Sequence, residues 1–131
     1  MPHVAALDHL VLTVADPEAT AAWYGRILGT RHETFRPADG SLRHALRFGR
    51  QKINLHRAGA EWDPKAACAT PGSGDLCFLS DDLLEAWQAH QAAAGVTVEA
   101  GPVARTGAEG PIRSLYLRDP DGNLLEIANR A

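Results

Sequence analysis

LYLRDPDGNLLEIAN, residues 115–129, decides the reading of this chain. Two apolar runs flank DPDGN, and an Asp-Gly pair between such runs signals a tight turn joining two strands. The second run is not purely apolar, because Glu126 stands between Leu125 and Ile127. Near the start, LDHLVLTV (residues 7–14) repeats the anomaly, with His9 set among Leu, Val and Thr. Burying an ionised carboxylate or an unpaired imidazole costs several kcal/mol unless something compensates it. A bound cation would satisfy both groups. The alternatives are a structural ion pair for Glu126 and a backbone hydrogen bond for His9.

Working outward, LDHLVLTV alternates so that His9, Val11 and Thr13 share one strand face and Leu10, Leu12 and Val14 the other. Asp16 reads as the N-cap of a helix, with Pro17 at its first position and Glu18 complementing the dipole. Ala19, Ala22, Trp23, Ile27 and Leu28 give that helix its apolar residues, and Gly29 stops it. Strands are expected over residues 31–35, 43–48 and 52–56, with turns at Asp39-Gly40 and Gly49. Residues 57–74, rich in Ala, Pro and Gly, read as a connector. The same order then returns. A strand covers 75–79, Asp81 or Asp82 caps a helix whose apolar face is Leu83, Leu84 and Trp87, and Gly95 ends it. Strands follow near 97–99, 112–117 and 124–128, and the Gly-rich stretch 101–111 reads as a lid or binding loop.

The chain is therefore an α+β protein written as two βαβββ units. Module one covers about 5–57, a linker 58–73 and module two about 74–130, within one domain over 5–131. In this register Asn54, between Ile53 and Leu55, corresponds to Glu126, and His56 shares the face of Asn54.

Size and composition agree with one modest domain: 131 residues, 45% hydrophobic and 22% charged. The net charge of −3, with no basic run interleaved with aromatics, argues against a nucleic-acid partner. No apolar stretch is long enough to span a membrane, and MPHVAALDHL lacks the features of a signal peptide. Cys68 and Cys77 lack CxxC spacing and read as reduced thiols, so a cytoplasmic setting is expected.

The motifs LDHLVLTVAD, WYGRILG, FGRQKINLH and LYLRDPDGNLLEIAN, spanning residues 7–129, resemble the vicinal oxygen chelate superfamily. That superfamily includes glyoxalase I, fosfomycin and bleomycin resistance proteins and extradiol dioxygenases. KINLHRAGAEWDPKAACATPGSGDLCF and GPVARTGAEGPIRSLYLRDPDGN are most similar to its small glyoxalase-domain-containing proteins. The resemblance implies two βαβββ modules forming an open, barrel-like cavity around a divalent metal. The family's ligand positions, on the first and last strand of each module, fall on His9, Asn54, Asp75 and Glu126. His56 lies next to Asn54 on its face, so His9, His56 and Glu126 would make a two-His, one-carboxylate set, with Asp75 as a further ligand or a carboxylate orienting one. Such donors suit Zn, Ni, Fe, Mn or Co without choosing among them.

The chemistry implied is that of a metal-dependent lyase or isomerase of the glyoxalase type, acting at a carbonyl of a small oxygenated metabolite. Glu126 would be the catalytic base. A non-haem Fe(II) ring-cleaving dioxygenase and a metal-free small-molecule-binding resistance protein are the alternatives. Ser114 and Tyr116 share the cavity face of their strand, and with Arg105 they are the expected substrate-binding residues. A homodimer is expected, with neither nucleic acid nor membrane as a partner.

Overall fold

The computed structural model describes residues 1–131, which fall into two compact units, Met1–Pro71 and Gly72–Ala131. The first unit runs β1 (His9–Val14), α1 (Pro17–Leu28), β2 (Arg31–Phe35), β3 (Arg43–Phe48) and β4 (Gln51–Arg57). Its sheet has the order β1-β4-β3-β2, with β1 and β4 parallel and the other pairs antiparallel. Helix α1 begins as the sequence indicates: Asp16 Oδ1 accepts the N–H groups of Glu18 at 3.1 Å and Ala19 at 3.2 Å. Gly29 ends it in the left-handed region at φ 73°, a conformation that Gly adopts without a Cβ penalty.

Strand alternation sorts the side chains of this sheet into two faces. Leu12, Val14, Leu46, Ile53 and Leu55 share one parity and are buried with Ala21, Tyr24 and Ile27 of α1. Each such Leu, Ile or Val contributes about 1.5–3 kcal/mol of transfer free energy. The opposite parity, called here the open face, carries His9, Lys52, Asn54 and His56.

The second unit repeats the plan with β5 (Asp75–Leu79), α2 (Leu84–Ala93), β6 (Ala100–Gly107), β7 (Gly110–Arg118) and β8 (Leu124–Arg130). Its sheet order, β5-β8-β7-β6, is that of the first with each strand replaced by its equivalent. Leu84, Leu115, Leu117, Leu125 and Ile127 are its largest fully buried apolar side chains.

Three expectations are corrected in this unit, the first being the strand near 97–99, whose place is taken by β6 at Ala100–Gly107. Residues 101–111 are not a lid loop; most of them belong to a hairpin of β6 and β7, turning at Ala108 and Glu109. Their glycines serve the strands. Gly101 marks an irregularity in the β6–β7 register, has φ 104°, and would place a Cβ 2.3 Å from the Ser114 carbonyl oxygen. Helix α2 is not capped by Asp81 or Asp82. Its N-cap residue is Leu83, which makes no side-chain cap and is exposed. The buried Leu84 N–H instead donates to Asn129 Oδ1 at 3.0 Å, and Asn129 Nδ2 donates to the Ser80 and Asp82 carbonyls. A strand thus supplies the cap that the local sequence lacks.

The DPDGN turn is built as the sequence implies. Asp119 Oδ1 accepts the N–H groups of Asp121 and Asn123, and its Oδ2 accepts the Asn123 amide at 2.8 Å. Asn123 Oδ1 in turn accepts the Gly74 N–H at 2.7 Å. The turn therefore ties the start of β8 to the start of β5, fixing where Asp75 and Glu126 stand. No helix is long and apolar enough to cross a membrane.

Candidate functional site

On the open face of module one, the parallel register pairs His9 with Lys52, Val11 with Asn54 and Thr13 with His56. His9 Nδ1 lies 2.8 Å from Asp8 Oδ2. The ring donates there, because a carboxylate has no proton to give, so Nε2 is the ring atom that a ligand can meet. That hydrogen bond from His9 is the main reason the Asp8 carboxyl is held below its ordinary value.

Asn54 is one diagonal step from His9. Its Oδ1 is buried and has no hydrogen-bond partner, a condition that costs about 1–3 kcal/mol when nothing compensates it. A side-chain oxygen of this kind is a hard donor suited to a divalent cation.

His56 is placed differently from its expected role. It lies four residues along the sheet from the His9–Lys52 pair, or about 13 Å at the usual rise per residue. Metal–ligand bonds are only about 2 Å long, so module one does not bring His9 and His56 together. His56 is 9% exposed and packs edge-on against Trp62, with ring centroids 5.0 Å apart. Burial, reinforced by the Arg43 charge and opposed by Glu61, holds its pKa below the ordinary histidine value. Arg43 stacks on the other partner of this cluster, its guanidinium carbon 4.1 Å from the Trp62 ring centroid.

Module two presents the equivalent arrangement. Cys77 pairs with Glu126 and Asp75 with Leu124, so Asp75 stands to Glu126 as His9 stands to Asn54. Glu126 Oε2 accepts the Ser114 hydroxyl at 2.5 Å. Ser114 is fully buried, so its hydroxyl fixes the carboxylate. Tyr116, directly across from Glu126, accepts a hydrogen bond at its hydroxyl oxygen from Arg105 Nε at 3.0 Å. Arg105 is on β6, its guanidinium carbon 5.4 Å from the centroid of the Tyr116 ring. Cys77, Arg105, Ile112, Glu126 and Arg130 help line a hollow of about 440 Å³ on this module.

Two residues of these faces escape a motif-led reading. Cys77 follows Asp75 by two residues and so shares its face; partial burial, then the nearby Glu126 carboxylate, pushes its thiol up to about 11. Lys52 precedes Asn54 by two and stands directly beside His9. Parity along the strands was the available signal for both. Neither module gathers three His, Cys, Asp or Glu side chains into one cluster able to hold an ion. Each instead offers a diagonal pair of donors, His9 with Asn54 and Asp75 with Glu126.

A duplicated α+β scaffold with donor side chains on the open face of both sheets defines the class of protein. Residues 6–127 match the model of the Glyoxalase/Bleomycin resistance protein/Dioxygenase superfamily, and the chain belongs to that family. It is 48% identical over 122 residues to virulence protein STM3117 of Salmonella typhimurium, covering 93% of this chain and 82% of that protein. The crystal structure of that relative matches with a TM-score of 0.93 over 99% of this chain and all of the other. The glyoxalase domain-containing protein RDO1 of Mycosarcoma maydis is 49% identical over 126 residues, covering 96% of this chain and 69% of the relative. Lactoylglutathione lyase from Agrobacterium tumefaciens is 26% identical, with a TM-score of 0.69 over 97% of this chain and 95% of the other.

Proposed function

We propose that the protein is a divalent-metal-dependent enzyme of the glyoxalase type, carrying out lyase or isomerase chemistry at a carbonyl of a small oxygenated metabolite. The observation that carries this reading is the matching pair of donor diagonals, His9 with Asn54 and Asp75 with Glu126, at equivalent register positions of the two sheets. The Asp8–His9 hydrogen bond and the unpartnered Asn54 Oδ1 add to it, since both leave a donor atom free. The superfamily generally uses divalent metals, and a lactoylglutathione lyase shares this fold.

In this proposal His9 Nε2 with Asn54 Oδ1 on module one, and the carboxylates of Asp75 and Glu126 on module two, are the candidate donors. Zn, Ni, Fe, Mn and Co are the candidate ions. The metal, when bound, supplies Lewis-acid polarisation of the substrate carbonyl. Glu126 is the proton carrier: the Ser114 hydroxyl holds its Oε2, and the carboxylate takes a proton from the carbon next to that carbonyl. The Tyr116 hydroxyl and the Arg105 guanidinium orient substrate oxygens at the mouth of the hollow. We place this activity in a cytoplasmic homodimer, which the two free cysteines suit. A ring-cleaving dioxygenase built on His9, His56 and Glu126 gains no support from module one, where the two histidines are four residues apart along the sheet.

Elemental analysis of protein purified without chelator tests the proposal. About one equivalent of a transition metal is expected in the wild type. His9→Ala should lower metal affinity at least tenfold, the usual scale for metal-site lesions. Glu126→Gln should abolish hemithioacetal isomerisation in Ni- or Zn-loaded protein. Wild-type protein that takes up no divalent ion refutes the metal proposal. Oxygen uptake with catechols under Fe(II), without isomerase activity, would replace the reaction by ring cleavage.

A further inference from the structure

The two open faces differ in charge on the first and last strands of each module, although the face of module two also carries Arg105 and Arg130. On module two the pairing strands β5 and β8 present Asp75 and Glu126. On module one the registers line up His9, Lys52, Arg47 and Arg31 in one row across β1, β4, β3 and β2. Arg43 shares this parity. The carboxylates near this row are already engaged: Asp8 with His9 at 2.8 Å, and Glu33 with Arg47 at 2.7 Å. Arg43 is paired with Asp39 at 2.8 Å.

Lys52 is the exception. It is half-buried and has no carboxylate within ion-pair distance, Asp8 and Glu33 acting on it only from farther off. Its ammonium instead lies 4.3 Å from the centroid of the Phe35 ring, reaching from one end of the sheet face toward the other. Lysine is rarely withdrawn from water without a counter-charge, and a cation–π contact offsets only part of that loss. The ammonium has three donors and Phe35 hydrogen-bonds none of them. It shares its row with Arg31 and with Arg47, the latter paired with Glu33, and stands beside His9 and against the Phe35 ring.

We infer that Lys52 is an oxyanion-binding residue, which takes a carboxylate or phosphoryl group of the ligand while Phe35 covers that ligand's apolar part. The substrate class is thereby narrowed to small anions. The inference deepens the proposed function, resting on its use of His9 and Asn54 of the β1–β4 face as donors, but it does not need the metal. Arg47 and Arg31 extend the same row. No bond to substrate forms or breaks at Lys52; its role is binding.

The test is calorimetric titration of metal-free protein with benzoate, with benzamide as its uncharged counterpart, and with inorganic phosphate. Wild type is expected to bind at least one of the two anions in the millimolar range or tighter, and benzamide much more weakly. Lys52→Met keeps the apolar stem and removes the charge; it should weaken anion binding about tenfold or more, the usual scale for a charged hydrogen bond. Lys52→Arg should restore much of it, and Lys65→Met should have no effect. Benzoate favoured over phosphate assigns a carboxylate ligand, and the reverse order a phosphoryl ligand. Anion binding equal in wild type and Lys52→Met, no anion binding by wild type, or equal affinity for benzoate and benzamide overturns the inference. Metal uptake by Lys52→Met, measured separately, should match wild type. A protein that takes up no metal yet loses anion binding with Lys52 would sink the metal proposal and leave this one standing.

Discussion

Module one and module two share strand order, strand polarity and register, yet they are held together differently. In module one the helix carries its own signals: Asp16 caps it, Gly29 ends it, and Tyr24 and Ile27 are completely buried. In module two the helix has no side-chain cap of its own, buries only Leu84 and Gln91, and takes its start from Asn129 on β8. Gln91 is enclosed with both side-chain polar atoms unpartnered, which further weakens that helix. The duplicated scaffold therefore tolerates two ways of fixing a helix on a sheet. What it keeps constant is the diagonal between the first and last strand of each half, where the donor side chains stand.

Substitutions that strike this difference should rank clearly. Gly101→Ala in module two forces a Cβ into the Ser114 carbonyl oxygen at 2.3 Å and holds an L-residue at φ 104°, and it should cost about 3 kcal/mol or more. Gly29→Ala, the left-handed stop of α1, meets nothing within 4 Å and should cost only about 1 kcal/mol. Denaturant titration of the two variants measures the gap; equal losses would mean that the β6 irregularity relaxes more freely than its geometry implies. Asn129→Ala comes between them. It removes the acceptor of the Leu84 N–H and the donor to two carbonyls, and should cost about 2 kcal/mol. Asp16→Ala should cost about 1 kcal/mol and Asp82→Ala close to nothing. Stabilities ordered with Asp82→Ala below Asn129→Ala would restore a local cap for α2.

These contrasts also explain what could be read from the chain in advance. Signals carried by neighbouring residues were legible: Asp16-Pro17 opening α1, Gly29 closing it, Asp121-Gly122 turning into β8, and the alternation that set His9 and Glu126 on definite strand faces. Signals that depend on a distant strand were not. Gly101 and Gly107 look like loop residues until β7 is laid beside them, and Asp82 looks like a cap until Asn129 arrives from β8. The same limit affected the candidate site. Parity placed His56 with Asn54 on one face, but only the β1–β4 register shows that His56 pairs with Thr13 and Asn54 with Val11. Lys52 and Cys77 gain their interest from the residues opposite them, which sequence spacing alone does not reveal.

The smallest expected effect separates the modules by pH. In module one His56 is held below its ordinary pKa chiefly by burial, and His44 likewise by burial and then by His32, against the pull of Glu18. The unfolded chain binds protons at these rings more readily than the folded one, so stability rises with pH through this range. Their contribution is fully present above the ordinary value of 6.5 and declines as pH falls below it. In module two the sign is reversed. Cys77 is raised from 9.0 to about 11 by partial burial and by Glu126, so its contribution is complete below 9.0 and is lost as pH rises toward 11. Denaturant titrations across the pH range should therefore show His56→Gln flattening the acid limb alone and Cys77→Ala the alkaline limb alone. If His56→Gln leaves the acid limb unchanged, the ring under Trp62 is hydrated enough to protonate in place, and module one loses its buried histidine as a point of contrast with module two.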